Sequence, residues 1–337
     1  MSRRTETLLE VEGVAKQFLL GRRSLWDKLT RRRLKHVRAV WEATFRVRGG
    51  ETLVVLGESG CGKTTLGRLI VGLERPDSGR IAVSGDPVRP VRERGSKRGR
   101  LQMVFQDPGS SIDPFMKVRD VVAEPLTGSD LSQEAKGKKI LEVIASVGLD
   151  QSLLDRRASE LSGGQRQRVS VARAIISDPE VIVLDEPTSS IDVSIQAQVL
   201  NLLVDLQKLN GYAYLLITHD PNVARFMADS VAVMYLGKIV ESGAAEKVLS
   251  QPKHPYTQAL LASAPKLGKT SISEVVKGEP TSLIDLPPGC PYAPRCPHVM
   301  EVCRKREPPA YEVEGVSVEC FLYDKGVMAQ QAKSSLD

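Results

Sequence analysis

The chain is poor in aromatic side chains, with Phe, Trp and Tyr at 4% of 337 residues. A protein whose main work is stacking nucleic-acid bases needs many such rings, so that class is disfavoured. No run of 18 or more apolar residues occurs, which leaves no segment that reads as a transmembrane helix. The polar start Met1-Ser2-Arg3-Arg4-Thr5-Glu6 lacks the apolar core of a signal peptide, so a cytoplasmic location is expected. Internal repeats, low-complexity tracts and sustained heptads are also missing. Neither charge sign dominates: 47 Lys and Arg face 41 Asp and Glu, and a net charge of +6 is an ordinary solvated surface.

What is present is the composition of a soluble globular protein, 41% hydrophobic and 26% charged, long enough for about two domains. Residues 8–18 alternate as a strand ending at Phe18, and Thr52–Leu56 reads as a buried strand followed by a glycine-rich turn and a helix over 64–72. Leu101–Phe105, Val181–Leu184 and Ala213–Thr218 read as further strands. Between 108 and 159 the pattern is helical, with Val121, Val122, Leu126, Ile140, Leu141, Ile144 and Val147 at helical spacing, and another helix opens near Ser162. Strands alternating with helices imply an α/β fold with a mostly parallel sheet. Residues 19–38 are an inserted, basic stretch. Near residue 250 the composition shifts to a Pro- and Gly-rich tail, which suggests domains at 1–250 and 251–337.

The chemistry starts at Gly57-Glu58-Ser59-Gly60-Cys61-Gly62-Lys63-Thr64, an ungapped G-x-x-x-x-G-K-[ST] phosphate loop between a strand and a helix. A chance match in a chain this long is on the order of 1 in 100. Its glycines let the backbone curl so that N–H groups face phosphates at a helix N-terminus. Lys63 is suited to the β- and γ-phosphates and the Thr64 hydroxyl to Mg²⁺. In Val181-Ile182-Val183-Leu184-Asp185-Glu186 an apolar strand delivers two carboxylates: Asp185 for Mg²⁺ and Glu186 to orient and deprotonate water. By itself such a pair could merely cap a strand. However, the loop at 57, Gln106, Asp185 and His219 all follow the carboxyl ends of expected strands, the edge where ligands bind in open α/β sheets.

Leu161-Ser162-Gly163-Gly164-Gln165 is a second helix start, with Ser162 as cap and two glycines behind it. Its N–H groups make another anion site. The chain thus has two anion sites for one nucleotide. Either the helical region folds back over the same ATP, or it meets ATP on a second subunit. Gly164 is expected to stay small so that backbone can approach phosphate.

Together, the phosphate loop, the Leu161–Gln165 run and the Asp185-Glu186 strand resemble the ATP-binding subunits of ABC transporters over residues 8 to about 250. The resemblance implies a P-loop ABC-type nucleotide-binding domain with a RecA-like mixed sheet core, a helical subdomain over about 107–172 and a small cysteine-containing C-terminal extension. It implies a head-to-tail pair of ATPases sandwiching two ATPs, with Ser162, Gly163, Gly164 and Gln165 serving the partner's nucleotide. Phe18 resembles the aromatic that stacks on adenine, and Ser190-Ile191-Asp192 the loop that crosses the dimer contact. Gln106 resembles the glutamine that senses Mg²⁺ and water and moves with the membrane partner, and His219 the switch histidine of the γ-phosphate. Catalysis would rest on Glu186, His219 and Gln106. Nucleotide contacts would come from Gly57 through Thr64 together with Thr65, and Mg²⁺ would sit on Thr64, Gln106 and Asp185.

Residues 106–126 and the run His254-Pro255-Tyr256-Thr257 with Ala259-Leu260-Leu261 are similar to ATPases of dipeptide and oligopeptide importers. The basic insertion and Thr65-Leu66-Gly67-Arg68 resemble the second of their two ATPases, which implies a paralogous partner, a homodimer being the alternative. The resemblance implies two integral membrane permeases, an indirect extracytoplasmic solute-binding protein, and a peripheral place on the cytoplasmic membrane face. Nickel, sugars and other solutes travel through similar systems. A non-transport ABC ATPase acting on DNA or ribosomes is the rival class, and no nucleic-acid partner is expected. In the tail, Cys290, Cys296, Cys303 and Cys320 are spaced x5, x6 and x16. Four clustered cysteines in a cytosolic chain suit zinc or an iron–sulfur cluster, and the resemblance implies 4Fe–4S. Cys61, inside the phosphate loop, is outside that set. Where the family often has a His two residues before the last Cys, this chain has Val318.

Overall fold

The computed structural model describes residues 6–19, 36–91, 99–189, 191–263, 284, 286 and 288–334. Residues 20–35, most of the basic insertion, and Ser190 lie outside them. The main sheet runs in the order β11-β12-β10-β9-β3-β8-β7-β6. Its central strands are β3 (Thr52–Leu56), β6 (Leu101–Val104), β7 (Val181–Asp185), β8 (Ala213–Thr218) and β9 (Ser230–Tyr235). These five pair in parallel. β3, β7 and β8 are buried at every position, as apolar parallel strands covered on both faces must be.

Alternation splits each strand between two cores. Leu53 and Val55 join Leu66, Leu69 and Ile70 of the helix Lys63–Ile70 on one side. Val54 and Leu56 face the other, with Val169, Ala172, Val199 and Leu203 of the helices Gly163–Ile175 and Val193–Asn210. Each such fully buried aliphatic side chain stabilises the fold by about 1.5–3 kcal/mol relative to exposure.

A second sheet, β2-β1-β4-β5, is antiparallel: β1 (Thr7–Leu19), β2 (His36–Arg48), β4 (Ser78–Val83) and β5 (Asp86–Pro87). It packs on the helix Lys63–Ile70 through Leu9, Val11, Val40 and Val47. Residues 108–175 supply a helical layer in which Val118, Val121, Val122, Ile144 and Val147 are buried. Leu141 differs from the sequence pattern and is 40% exposed. Along this helix (Gln133–Ser146), Ile144 is buried and Ile140 partly buried against the core, while Leu141 lies one step round the axis from Ile140.

After residue 250 the chain remains part of the main body. β10 (Lys238–Ala244) pairs antiparallel with β9 and with β12 (Val316–Val318), whose hairpin partner is β11 (Tyr311–Val313). The helix Pro255–Ala262 buries Tyr256, Leu260 and Leu261. No helix among the described residues is long and apolar enough to cross a membrane.

Candidate functional site

The phosphate loop leaves the end of β3, which lies between β9 and β8 in the parallel part of the sheet. Gly62 begins the following helix at φ 109°, a backbone conformation that disfavours L side chains. A Cβ there would also stand 2.0 Å from the Ala39 carbonyl oxygen, and one on Gly57 would stand 2.2 Å from that of Met234. Backbone fills the space a side chain would need, so both positions require glycine. Lys63 is buried and its Nζ donates to the carbonyls of Gly57 at 2.8 Å and Glu58 at 2.9 Å. Cys61 is buried and its thiol is pushed up by that burial, consistent with a packing role.

Two carboxylates meet the loop from the end of β7. Thr64 Oγ1 donates to Asp185 Oδ1 at 3.2 Å. Burial pushes the Asp185 carboxyl up to about 6; the Thr64 hydrogen bond opposes this and neighbouring Glu186 adds to it. Glu186 has φ 42°, a conformation that non-glycine residues rarely adopt. Its backbone N–H donates to the Ile217 carbonyl at 2.9 Å, which holds the turn. Its Oε2 accepts from Gln106 Nε2 at 2.9 Å, and its Oε1 lies 3.0 Å from His219 Nδ1. Gln106, Glu186 and His219 line one cleft of about 580 Å³ with Glu58, Ser59, Asp107, Ser189 and Leu260. That volume suits a small-molecule ligand.

The structure therefore gathers the loop, Gln106, Asp185, Glu186 and His219 at one sheet edge. Other expected residues stand apart from this cleft. Phe18, next to last in β1, is 37% exposed, with Lys16 Nζ 5.5 Å from its ring centroid. Ser162 is exposed and caps the helix Gly163–Ile175: Gln165 N–H donates to Ser162 Oγ at 3.3 Å, and Ser162 N–H to Gln165 Oε1 at 3.0 Å. A Cβ on Gly163 would have ordinary contact with Ile191 Cγ2 at 3.8 Å, whereas one on Gly164 would meet Ile195 Cγ2 at 2.7 Å. Within this chain, Gly164 is small because the helix Val193–Asn210 packs against it. Asp192 is exposed at the start of that same helix, with no capping side-chain bond.

Three residues from the tail reach the site without having been singled out for it. Arg295 pairs with Glu58, the Tyr256 hydroxyl accepts from the Glu58 N–H, and Leu260 lines the cleft. Tyr256 and Leu260 fall within a recognisable run, but a lone Arg 237 residues beyond Glu58 carries no local signal.

The four tail cysteines line a second, much smaller cavity together with His254, Tyr292 and His298. All are free thiols. Burial pushes Cys290 up to about 12 and Cys320 up to about 11. Among the described residues no group of three or more His, Cys, Asp or Glu is placed to hold a metal ion.

Comparison with known proteins agrees with this geometry. Residues 40–189 match the ABC transporter family, and residues 240–303 match the oligopeptide/dipeptide transporter C-terminal region. The dipeptide transport ATP-binding protein DppF of Escherichia coli is 42% identical over 294 residues, covering 86% of this chain and 88% of its own length. The oligopeptide transport ATP-binding protein AppF of Bacillus subtilis is 41% identical over 327 residues, 94% of this chain and 98% of its own. Among solved structures, cbiO1 of Clostridium perfringens, part of the ABC transporter complex cbiONQ, superposes with a TM-score of 0.61 at 27% identity, covering 73% of this chain and 91% of that one. The chain belongs to the ABC transporter ATP-binding proteins, the ATPase subunits of such transporters, in the branch that carries the oligopeptide/dipeptide C-terminal region.

Proposed function

We propose that this protein is the ATP-hydrolysing subunit of an ABC importer that energises uptake of dipeptides or oligopeptides through two separate membrane permeases. The relatives named for dipeptide and oligopeptide transport support the cargo class. The absence of any spanning helix among the described residues is compatible with a peripheral subunit on the cytoplasmic face. A cleft of about 910 Å³ lies beside Phe105, lined in part by Val83 and Pro87 of the antiparallel sheet, Gln102 of the main sheet, and Ser111 and Pro125 of the helical layer. It begins one residue before Gln106, which favours it as the permease contact. A second ATPase, paralogous or identical, completes the engine.

The single observation that carries the mechanism is the Glu186 carboxylate held between Gln106 and His219 at the mouth of the cleft. Glu186 would accept the proton of the attacking water, while Gln106 and His219 fix its orientation. Lys63, buried beneath the loop, would exchange its two carbonyl contacts for phosphate oxygens. The residues suit Mg²⁺: Thr64 and Asp185 present adjoining oxygens, and the desolvated Asp185 carboxyl gains from a divalent cation. Mg²⁺, held by Thr64, Asp185 and Gln106, would supply charge neutralisation at the phosphates. Ser162 through Gln165 and Asp192 would face the partner ATPase, and Phe18 the adenine. Glu186→Gln is expected to keep MgATP binding and to lower turnover by about 10²–10⁴-fold. Wild-type turnover in that variant would remove Glu186 from the reaction.

The tail, with its four cysteines, would form a C-terminal extension to the ATPase domain. Four thiols lining one cavity are the donor type that a 4Fe–4S cluster takes, which supports that reading of the tail. Such a cluster would tie together the turns and helix that carry Cys290, Cys296, Cys303 and Cys320. Iron and acid-labile sulfide assays on anaerobically purified protein test this, and a colourless, iron-free protein refutes it.

A further inference from the structure

Glu58, the second residue of the phosphate loop, is gripped at two points by the C-terminal region. Its carboxylate accepts a forked pair from Arg295: Nη1 to Oε2 at 3.0 Å and Nη2 to Oε1 at 3.0 Å. Its backbone N–H donates to the Tyr256 hydroxyl at 2.9 Å. The Arg295 side chain is 6% exposed and that of Glu58 27%. The guanidinium also lies 5.9 Å from the Tyr235 ring centroid. Tyr235, Tyr256 and Tyr292 pack together, with centroids 4.5, 5.3 and 5.5 Å apart. Two parallel hydrogen bonds fix both position and angle, and the Tyr235 ring beside the guanidinium limits its freedom to swing away.

Glu58 is also part of the cleft wall, beside Ser59 and Leu260. A carboxylate thus stands at the entrance of a site for a polyanion, and Arg295 neutralises it. We propose that Arg295 and Tyr256 are positioning residues of the ATP site, through which the C-terminal region sets the shape of the phosphate loop and its affinity for nucleotide. The proposal rests on the assignment of this cleft to ATP. A loop rich in glycine loses much conformational freedom when it closes on phosphates. A loop anchored in advance loses less, and the difference appears as affinity. Without Arg295, the Glu58 charge faces the incoming phosphates uncompensated.

The test is MgATP affinity and steady-state hydrolysis of the full chain. Arg295→Ala is expected to raise the Kd for MgATP by about tenfold and to change kcat by less than about twofold. Tyr256→Phe, which keeps the ring and loses the acceptor, is expected to raise it by about threefold. Adding Glu58→Gln to Arg295→Ala removes the exposed charge and should return the Kd part of the way to wild type. A packing role for Arg295 would show instead as a lower melting temperature that Glu58→Gln does not restore, and that result overturns the proposal. So does a wild-type Kd in Arg295→Ala. Lys63→Ala separates the two claims: if it too binds MgATP normally, the ATP assignment of the loop fails. If Lys63→Ala abolishes binding while Arg295→Ala leaves it intact, only the role of the C-terminal region fails.

Discussion

Two helix starts in this chain carry the chemistry of anion binding, and they are built in opposite ways. At Gly62 the loop is enclosed: carbonyls of Ala39 and Met234 crowd its glycines, Lys63 is folded beneath it, and Tyr256 and Arg295 hold it from behind. At Ser162 the turn is finished by its own residues. Ser162 and Gln165 satisfy each other, a Cβ on Gly163 would meet only Ile191 Cγ2 at 3.8 Å, and the side chain of Ser162 is exposed. The enclosed start is completed within one chain. The open start offers backbone to something outside it, which supports the reading that Leu161–Gln165 serves a partner's nucleotide.

The strongest way to break this contrast is a methyl group at each start. Gly62→Ala forces a Cβ against the Ala39 carbonyl and demands a backbone angle alanine resists, so MgATP binding should be lost. Gly163→Ala meets nothing closer than Ile191 Cγ2 at 3.8 Å. Its unfolding free energy should stay within about 0.5 kcal/mol of wild type, yet turnover should fall if, as proposed, this turn faces the partner ATPase. Normal turnover would show that the exposed turn does not close on a partner's phosphates.

Acid is expected to loosen the enclosed start from behind. His254, packed in the C-terminal region with its Nδ1 accepting the Tyr256 N–H at 3.0 Å, is held uncharged by burial down to about 3. The unfolded chain takes up that proton near 6.5, so this residue's contribution to stability declines as pH falls from about 6.5 towards 3. The slope is at most about 1.4 kcal/mol per pH unit. Glu241, which accepts the His254 N–H and whose carboxyl burial pushes up, acts in the opposite sense. The measurable quantity is therefore the difference in urea midpoint between wild type and His254→Asn across that range. The smallest effect belongs to the open start: Ser162→Ala removes one cap and should cost about 1 kcal/mol in denaturant unfolding.

Much of the fold was legible because it is written in short segments. β3, β7 and β8 announce themselves as apolar runs, and the helix at Gly163 by its capping residues. The antiparallel sheet was not read as a unit. β1 and β2 pair across the insertion with several register shifts, and no local pattern reveals such pairing. The hairpin β11–β12 was hidden for the same reason: three-residue strands become strands only when β10 is beside them. Gly164 was expected to be small for phosphate, and within this chain a Cβ there would also meet Ile195 Cγ2 at 2.7 Å, a contact no local pattern announces.

The sequence alone determined the phosphate loop, the pair Asp185-Glu186 and the Ser162 cap, because each depends on backbone geometry over fewer than about ten residues. Tertiary structure alone decided which distant groups complete them. Glu186 meets Gln106 from 80 residues away, and Glu58 meets Arg295 from 237. Such contacts depend on how strands are ordered in the sheet and on where the tail returns across it. Packing of the whole chain sets both, and no segment encodes them.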